Sequence, residues 1–168
     1  MYYATYSFWV KASSYTNYGA IYITFGSPGS GYSPWLSVNT ESCKVWAYFG
    51  NNSPNYTKGA SGSVTTNEWH HCVYVWDNGV AQWYLDGEKC GNAVTYTGRT
   101  YIQNTNNATI GNSYTGTGWN GTKFNGQISD FRIYSTALSA DDILELYHTP
   151  ISLSNNGTLL TQGEYVES

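Results

Sequence analysis

The sequence predicts an all-β sandwich, and three observations carry that prediction. The first is the stretch from Glu68 to Gly87, EWHHCVYVWDNGVAQWYLDG, in which two long apolar and aromatic runs flank a turn of Asp77, Asn78 and Gly79. Alternation along its first run puts His70, Cys72, Tyr74 and Trp76 on one side and Trp69, His71, Val73 and Val75 on the other. Both faces carry apolar residues, so this hairpin belongs in the middle of a sheet that has a second layer packed on it. The second observation is spacing: turn residues punctuate short alternating runs at intervals of roughly eight to twelve residues. The third is an inventory of 17 Tyr and 7 Trp against a single Met, with only 11% charged residues, which suits pleated strands over helices.

At 168 residues the chain amounts to one domain, long enough to bury roughly two thirds of its unfolded surface without metals or disulfides. The formal charge is −4, and the seven Lys and Arg are scattered from Lys11 to Arg132 without a run. That excludes the electrostatic footprint of a nucleic-acid binder and makes an acidic membrane surface an unsuitable partner. Cys43, Cys72 and Cys90 are too irregular for a disulfide framework, and an odd count leaves at least one free thiol. Reduced, buried cysteines are the favoured reading, with one Cys–Cys pair as the alternative for an oxidising compartment. No signal-peptide core or long apolar span is present in the sequence. Sequons at Asn51, Asn55, Asn107, Asn120 and Asn156 are what chance supplies in a chain rich in Asn and Thr.

The elements follow in order. ATYSFWVKA, Ala4 to Ala12, reads as the opening strand, and Ser13 to Tyr18 as a loop. Strands are expected at Gly19 to Phe25, Trp35 to Val38, Cys43 to Phe49 and, briefly, near Ser63 to Thr66. Gly50 to Gly62 reads as a polar loop too poor in apolar residues to pack. After the hairpin come runs at Ala93 to Thr97, near Tyr101, and at Ala108 to Gly111. Asn112 to Lys123, NSYTGTGWNGTK, has the composition of a binding loop. Phe124 to Tyr134 is a long strand with Ile128, Asp130, Arg132 and Tyr134 opposed to Ser129, Phe131 and Ile133. Ser139 to Tyr147 is the one convincing helix: Ser139 caps it, Asp141 and Asp142 suit its positive end, and Ile143, Leu146 and Tyr147 form its stripe. Pro150 ends that unit. The domain is therefore expected over 1–149, with 150–168 a tail: a hairpin around Asn155-Asn156-Gly157, or an arm that donates a strand to another chain.

The Trp-His pair with Asp-Gly in EWHHCVYVWDNGVAQWYLDGEKCG, the unit FNGQISDFRIYSTALSADDILELY, the opening YATYSFWVKA and the intervening TIGN at Thr109 to Asn112 together resemble the concanavalin A-like lectin and glucanase superfamily, in its laminin G-like and pentraxin-like branch. The resemblance covers most of residues 4–148. It implies a jelly-roll sandwich of two antiparallel sheets with one short C-terminal helix. It also implies a disulfide between the hairpin strand and the opening strand, but the latter carries Ser7 and no Cys, which points to a free Cys72. Calcium-binding relatives place the ion between two loops whose matching positions here are Asn17 and the run Asn112 to Thr115. These offer no carboxylate where calcium usually takes two or more. The expectation is therefore no cofactor; were calcium bound, Asn17 and Asn112 would be its ligands.

Enzyme chemistry lacks its residues. No Glu-x-Asp-x-Glu run supplies the paired carboxylates of a glucanase, and Asp86 with Glu88 reads as the end of a hairpin. His70 and His71 point to opposite faces and cannot share a metal. His148 suits the negative end of the helix. Binding chemistry fares better, because sugars stack on aromatic rings while Asn and backbone groups bond their hydroxyls. Loops of that composition single out Asn17, Tyr18, Tyr32, Trp35, Asn112, Tyr114 and Trp119. The sequence thus leads to a non-catalytic carbohydrate-binding or adhesion module of a phage or bacterial surface protein, recognising a glycan or cell-surface polysaccharide. The alternative is a structural virion protein, a decoration or tail-fibre domain, that contacts other subunits through 151–168. Either is expected at a virion or cell surface.

Overall fold

The computed structural model describes the backbone of residues 3–13, 20–25, 35–39, 44–48, 56–58, 64–95, 108–111, 124–150, 152–153 and 159–160, and the side chains of 3–13, 64–95, 110–111 and 124–150. In chain order the strands are β1 (Tyr3–Ala12), β2 (Ala20–Phe25), β3 (Trp35–Asn39), β4 (Lys44–Tyr48), β5 (Tyr56–Lys58), β6 (His70–Asp77), β7 (Val80–Leu85), β8 (Glu88–Thr95), β9 (Ala108–Ile110) and β10 (Gly126–Tyr134). Helix α1 (Ala140–His148) follows, then β11 (Ser152–Leu153) and β12 (Leu159–Leu160). Among the described residues the long strands form two antiparallel five-stranded sheets, ordered β10-β1-β6-β7-β8 and β5-β4-β3-β2-β9. This is the jelly-roll sandwich with one short helix that the sequence predicts.

Two tight turns fix the register of the first sheet. Asn78 and Gly79 have φ of 44° and 95°, Asp86 and Gly87 of 51° and 84°, the doubly left-handed geometry of a two-residue hairpin turn. Asp77 then faces Val80, and Leu85 faces Glu88. In this register Tyr6, Phe8 and Val10 of β1 share the core face with Cys72, Tyr74, Trp76 and Trp83, all essentially buried. The opposite face carries Val73, Val75 and Tyr84, which pack on Ile143 of α1 with Ala137 and Leu138 beside them. Complete burial of Ile143 contributes roughly 2–3 kcal/mol to docking the helix. Thr5 pins the approach to it, donating through Oγ1 to Thr136 O at 2.8 Å and accepting from Leu138 N–H at 3.0 Å. The helix starts in a capping box: Asp142 N–H donates to Ser139 Oγ at 3.2 Å and Ser139 N–H donates to Asp142 Oδ2 at 2.9 Å. The Ser139 hydroxyl, donating to Asp142 Oδ2 at 2.6 Å, and then the Ser139 N–H hold the exposed Asp142 carboxyl below its ordinary range.

Several expectations are corrected. Asp130 adopts φ of 48°, and the β1–β10 register slips between Ser7, opposite Arg132, and Trp9, opposite Ser129. This is a β-bulge, so Ile128 and Phe131 both pack on the core instead of facing opposite ways. Arg132 closes on Asp130 through Nε–Oδ1 at 2.6 Å and Nη2–Oδ2 at 2.5 Å. That bidentate bond raises the guanidinium above its already high pKa. A bulge with a charged pair also blunts the outer strand of the sheet against stray pairing. The residue opposite Cys72 is Phe8, not Ser7; Ser7 lies on the helix face. Cys72 is free and buried, and Cys90 is buried as well, while Cys43 lies outside the described residues.

Tyr56–Lys58, expected in a loop, pairs with β4. In the expected strand near Ser63 to Thr66, the described residues 64–66 show only an isolated bridge between Thr66 and Ala12, and Ser63 lies outside the described residues. The run near Tyr101 lies outside the described residues. In the tail, Ser152 pairs with Leu160 and Leu153 with Leu159, the hairpin alternative. No helix among the described residues is long and apolar enough to cross a membrane.

Candidate functional site

The end of β1 gathers the roots of two of the three loops that the sequence marks for binding. Ser13 N–H donates to Asn125 O at 2.9 Å, Phe124 N–H to Gly111 O at 2.9 Å, and Asn67 N–H to Ala12 O at 2.7 Å. Gly111 and Phe124, which flank 112–123 in sequence, are therefore tied together beside Ser13, which precedes 14–19. Gly126 marks how closely the backbones approach, since a Cβ there would sit 2.2 Å from Lys11 O. Asn17, Tyr18, Tyr32, Asn112, Tyr114 and Trp119 themselves lie outside the described residues. Trp35 opens β3, paired with Thr24 and Tyr48, and its side chain is also outside them. Asn17 and Asn112, the calcium positions, fall there too; no group of three His, Cys, Asp or Glu suited to a metal occurs among the described residues.

The same end carries a polar network that the sequence reading missed. His70 Nδ1 lies 2.8 Å from Asp86 Oδ2, and the other carboxylate oxygen accepts from His71 N–H at 2.8 Å. Asp86 N–H returns a bond to His71 O at 2.8 Å. On the far side of the imidazole, Thr65 N–H donates to Nε2 at 3.1 Å, and Thr65 Oγ1 lies 2.9 Å from the same nitrogen. Thr65 Oγ1 also donates to the Glu68 carboxylate. Nδ1–H to Asp86 with Nε2 as acceptor is the tautomer that satisfies both partners. Asp86-Gly87 was legible as a turn; that its side chain would also anchor the start of β6 needed the register between Cys72 and Leu85.

Beneath α1, His71 is buried with Ser7 Oγ 2.8 Å from its Nε2. Its ring stacks on Trp9 at 5.1 Å between centroids, and Trp9 stacks on Tyr147 at 5.6 Å. Among the described residues, Nδ1 of His71 and Nε1 of Trp9 find no hydrogen-bond partner. Burial pushes the imidazole from 6.5 down to about 4, against the pull of Asp130 and Asp86, with Arg132 adding to the lowering. His71 is thus neutral at physiological pH and serves as packing. Burial likewise raises the Cys72 thiol well above its ordinary value, which leaves a poor nucleophile. Among the described carboxylates, Asp86 is committed to the two histidines and Asp130 to Arg132, so neither belongs to a glycosidase-type acid pair.

Two antiparallel five-stranded sheets with one short helix define a lectin-type β-sandwich module. Residues 2–144 match the laminin G-like family model of the concanavalin A-like lectin/glucanases superfamily, and the chain belongs to that superfamily. No curated protein matches its sequence significantly. Among solved structures, domain 4 of AbnA, a GH43 extracellular arabinanase from Geobacillus stearothermophilus in complex with arabinotriose, is similar with 23% identity and a TM-score of 0.60 over 87% of this chain and 66% of that chain. A Bacteroides ovatus protein assigned to carbohydrate binding gives 16% identity and 0.67 over 99% of this chain and 47% of that one. The heptameric SAP-like pentraxin of Limulus polyphemus gives 16% and 0.62 over 96% and 80%. The chain therefore spans two thirds or less of the first two structures. At these identities the likeness is one of fold.

Proposed function

We propose that the chain is a non-catalytic carbohydrate-binding module of a phage or bacterial surface protein, holding a glycan in the loops at the end of β1. The observation that carries this reading is the stitching of Ser13 to Asn125, Phe124 to Gly111 and Asn67 to Ala12. It brings the roots of two Asn- and aromatic-rich loops to one rim. Tyr18, Tyr114 and Trp119 supply rings for stacking, and Asn17 and Asn112 supply amides for hydroxyls; Trp35 pairs with Thr24, toward the end of β2 away from Ala20 and this rim, so it is left out of the proposed surface together with Tyr32. The similarity to an arabinan-degrading enzyme's domain solved with arabinotriose supports starting the search among neutral plant and bacterial polysaccharides. On this reading the module works at a virion or cell surface and needs no cofactor.

The test is a glycan array probed with wild type and Trp119→Ala. Binding of wild type to a defined glycan, lost in the variant, supports the reading; absence of binding to every glycan contradicts it. A second reading, a structural virion domain, draws on the pairing of β11 with β12 apart from both larger sheets. It treats 150–168 as an assembly arm on a sandwich ending at residue 149. Deleting Ile151 to Ser168 would then abolish oligomer or particle association while the sandwich still folds.

A further inference from the structure

We propose that the turn Thr65 to Trp69 forms a third wall of this rim, contacting a neutral oligosaccharide through the Trp69 ring and the Glu68 carboxylate. The inference rests on the carbohydrate-binding reading and assigns part of its contact surface and its preference for uncharged sugars.

Location comes first. Asn67 N–H bonds Ala12 O at 2.7 Å, and Thr66 bridges Ala12 in parallel, one residue before Ser13 makes its own bond to Asn125. The turn thus abuts the roots of both proposed binding loops.

Exposure is the second ground. Trp76 and Trp83 are 1% exposed, yet Trp69 is 41% exposed. It stands just before His70, where β6 begins. A large, rigid indole left in water at a rim presents apolar area to a ligand at little cost in conformational freedom.

Preorganisation is the third. Asn67 holds the left-handed φ of 63°. Thr65 is bonded through its amide to His70 Nε2 at 3.1 Å and through its hydroxyl to Glu68, and His70 is anchored by Asp86 at 2.8 Å. A turn fixed in this way has little order left to lose on binding. The positioned Glu68 carboxylate accepts hydrogen bonds from sugar hydroxyls and repels the carboxylates of sialic and uronic acids, an effect that the chain's net charge of −4 reinforces.

The test immobilises arabinan, xylan and β-glucan oligosaccharides beside sialylated and uronic-acid oligosaccharides, and titrates the full chain as wild type, Trp69→Ala, Trp69→Phe and Glu68→Gln. Unchanged melting temperatures establish folding of the variants. Wild type is expected to bind a neutral probe. Trp69→Ala should weaken that binding about tenfold and Glu68→Gln about fivefold, while Trp69→Phe retains most of it. Should a variant fail to fold, oxidative footprinting of wild type supplies the readout instead: the bound neutral probe should protect Trp69. Wild-type binding to a neutral probe with both Ala and Gln variants within twofold, or with Trp69 left unprotected, overturns the third wall and leaves the carbohydrate reading standing. Preference for the acidic probes overturns it as well. Binding to none of the probes brings down the carbohydrate reading, and this inference with it.

Discussion

Lowering the pH should destabilise the fold through His71. The imidazole is 1% exposed, with Ser7 at one nitrogen, Trp9 against its ring and no described partner at the other nitrogen. In the unfolded chain it takes a proton near pH 6.5; in the folded protein burial delays this to about 4. Between those values the unfolded state binds more protons, so stability falls as pH falls. The contribution is intact above pH 6.5, has lost about 2 kcal/mol by pH 5, and approaches a total of roughly 3 kcal/mol below pH 4. Urea unfolding followed by tryptophan fluorescence measures it directly. The midpoint should drop by about 1 M between pH 7.5 and pH 5 for a slope of roughly 2 kcal/mol per molar urea. His71→Gln, which keeps a hydrogen-bonding group for Ser7, should shift much less across the same interval. Equal midpoints for wild type at the two pH values, or an equal shift in the variant, would refute the reasoning.

Three further outcomes are expected. Asp86→Ala removes the acceptor for His71 N–H and His70 Nδ1 and leaves alanine at a φ of 51°, so chemical denaturation should show a loss of about 2–3 kcal/mol. Asp86→Asn, which tolerates that backbone, should lose about half as much. Gly87→Ala would bring a Cβ to 2.9 Å from Leu144 Cδ1 and 3.2 Å from Tyr147 at a φ of 84°; it should cost about 2 kcal/mol and weaken the docking of α1, read as faster amide exchange in the helix. In a Cys43→Ser background, Ellman's reagent should find no reactive thiol in the native protein and two after denaturation, because Cys72 and Cys90 are buried; rapid native labelling would contradict their burial.

What the sequence disclosed depended on how local the determining interactions are. Asn78-Gly79 and Asp86-Gly87 carry their positive φ within two residues, so both turns could be read directly. Ser139 and Asp142 close the helix cap within one turn, and that too was legible. The bulge at Asp130 was not, because alternation presumes an unbroken period of two; one residue in the left-handed region reverses the phase and brings Phe131 round to the core beside Ile128. Tyr56–Lys58 escaped notice because three residues amid polar neighbours gain strand structure from pairing with β4, not from their own composition. At the rim, the candidate loops stood out by composition. The ties between Ser13 and Asn125, and between Thr65, His70 and Asp86, join positions from five to over a hundred residues apart and follow only from the register of β1, β6, β7 and β10.

The rim itself is best tested by NMR amide-shift mapping during titration with whichever neutral oligosaccharide the array returns. The account predicts that perturbations gather at Ser13, Thr65 to Trp69, Gly111 and Phe124 to Asn125, and that the sugar is recovered uncut. Perturbations confined to the α1 face or to Ser152 to Leu160, or recovery of cleaved sugar, would contradict it.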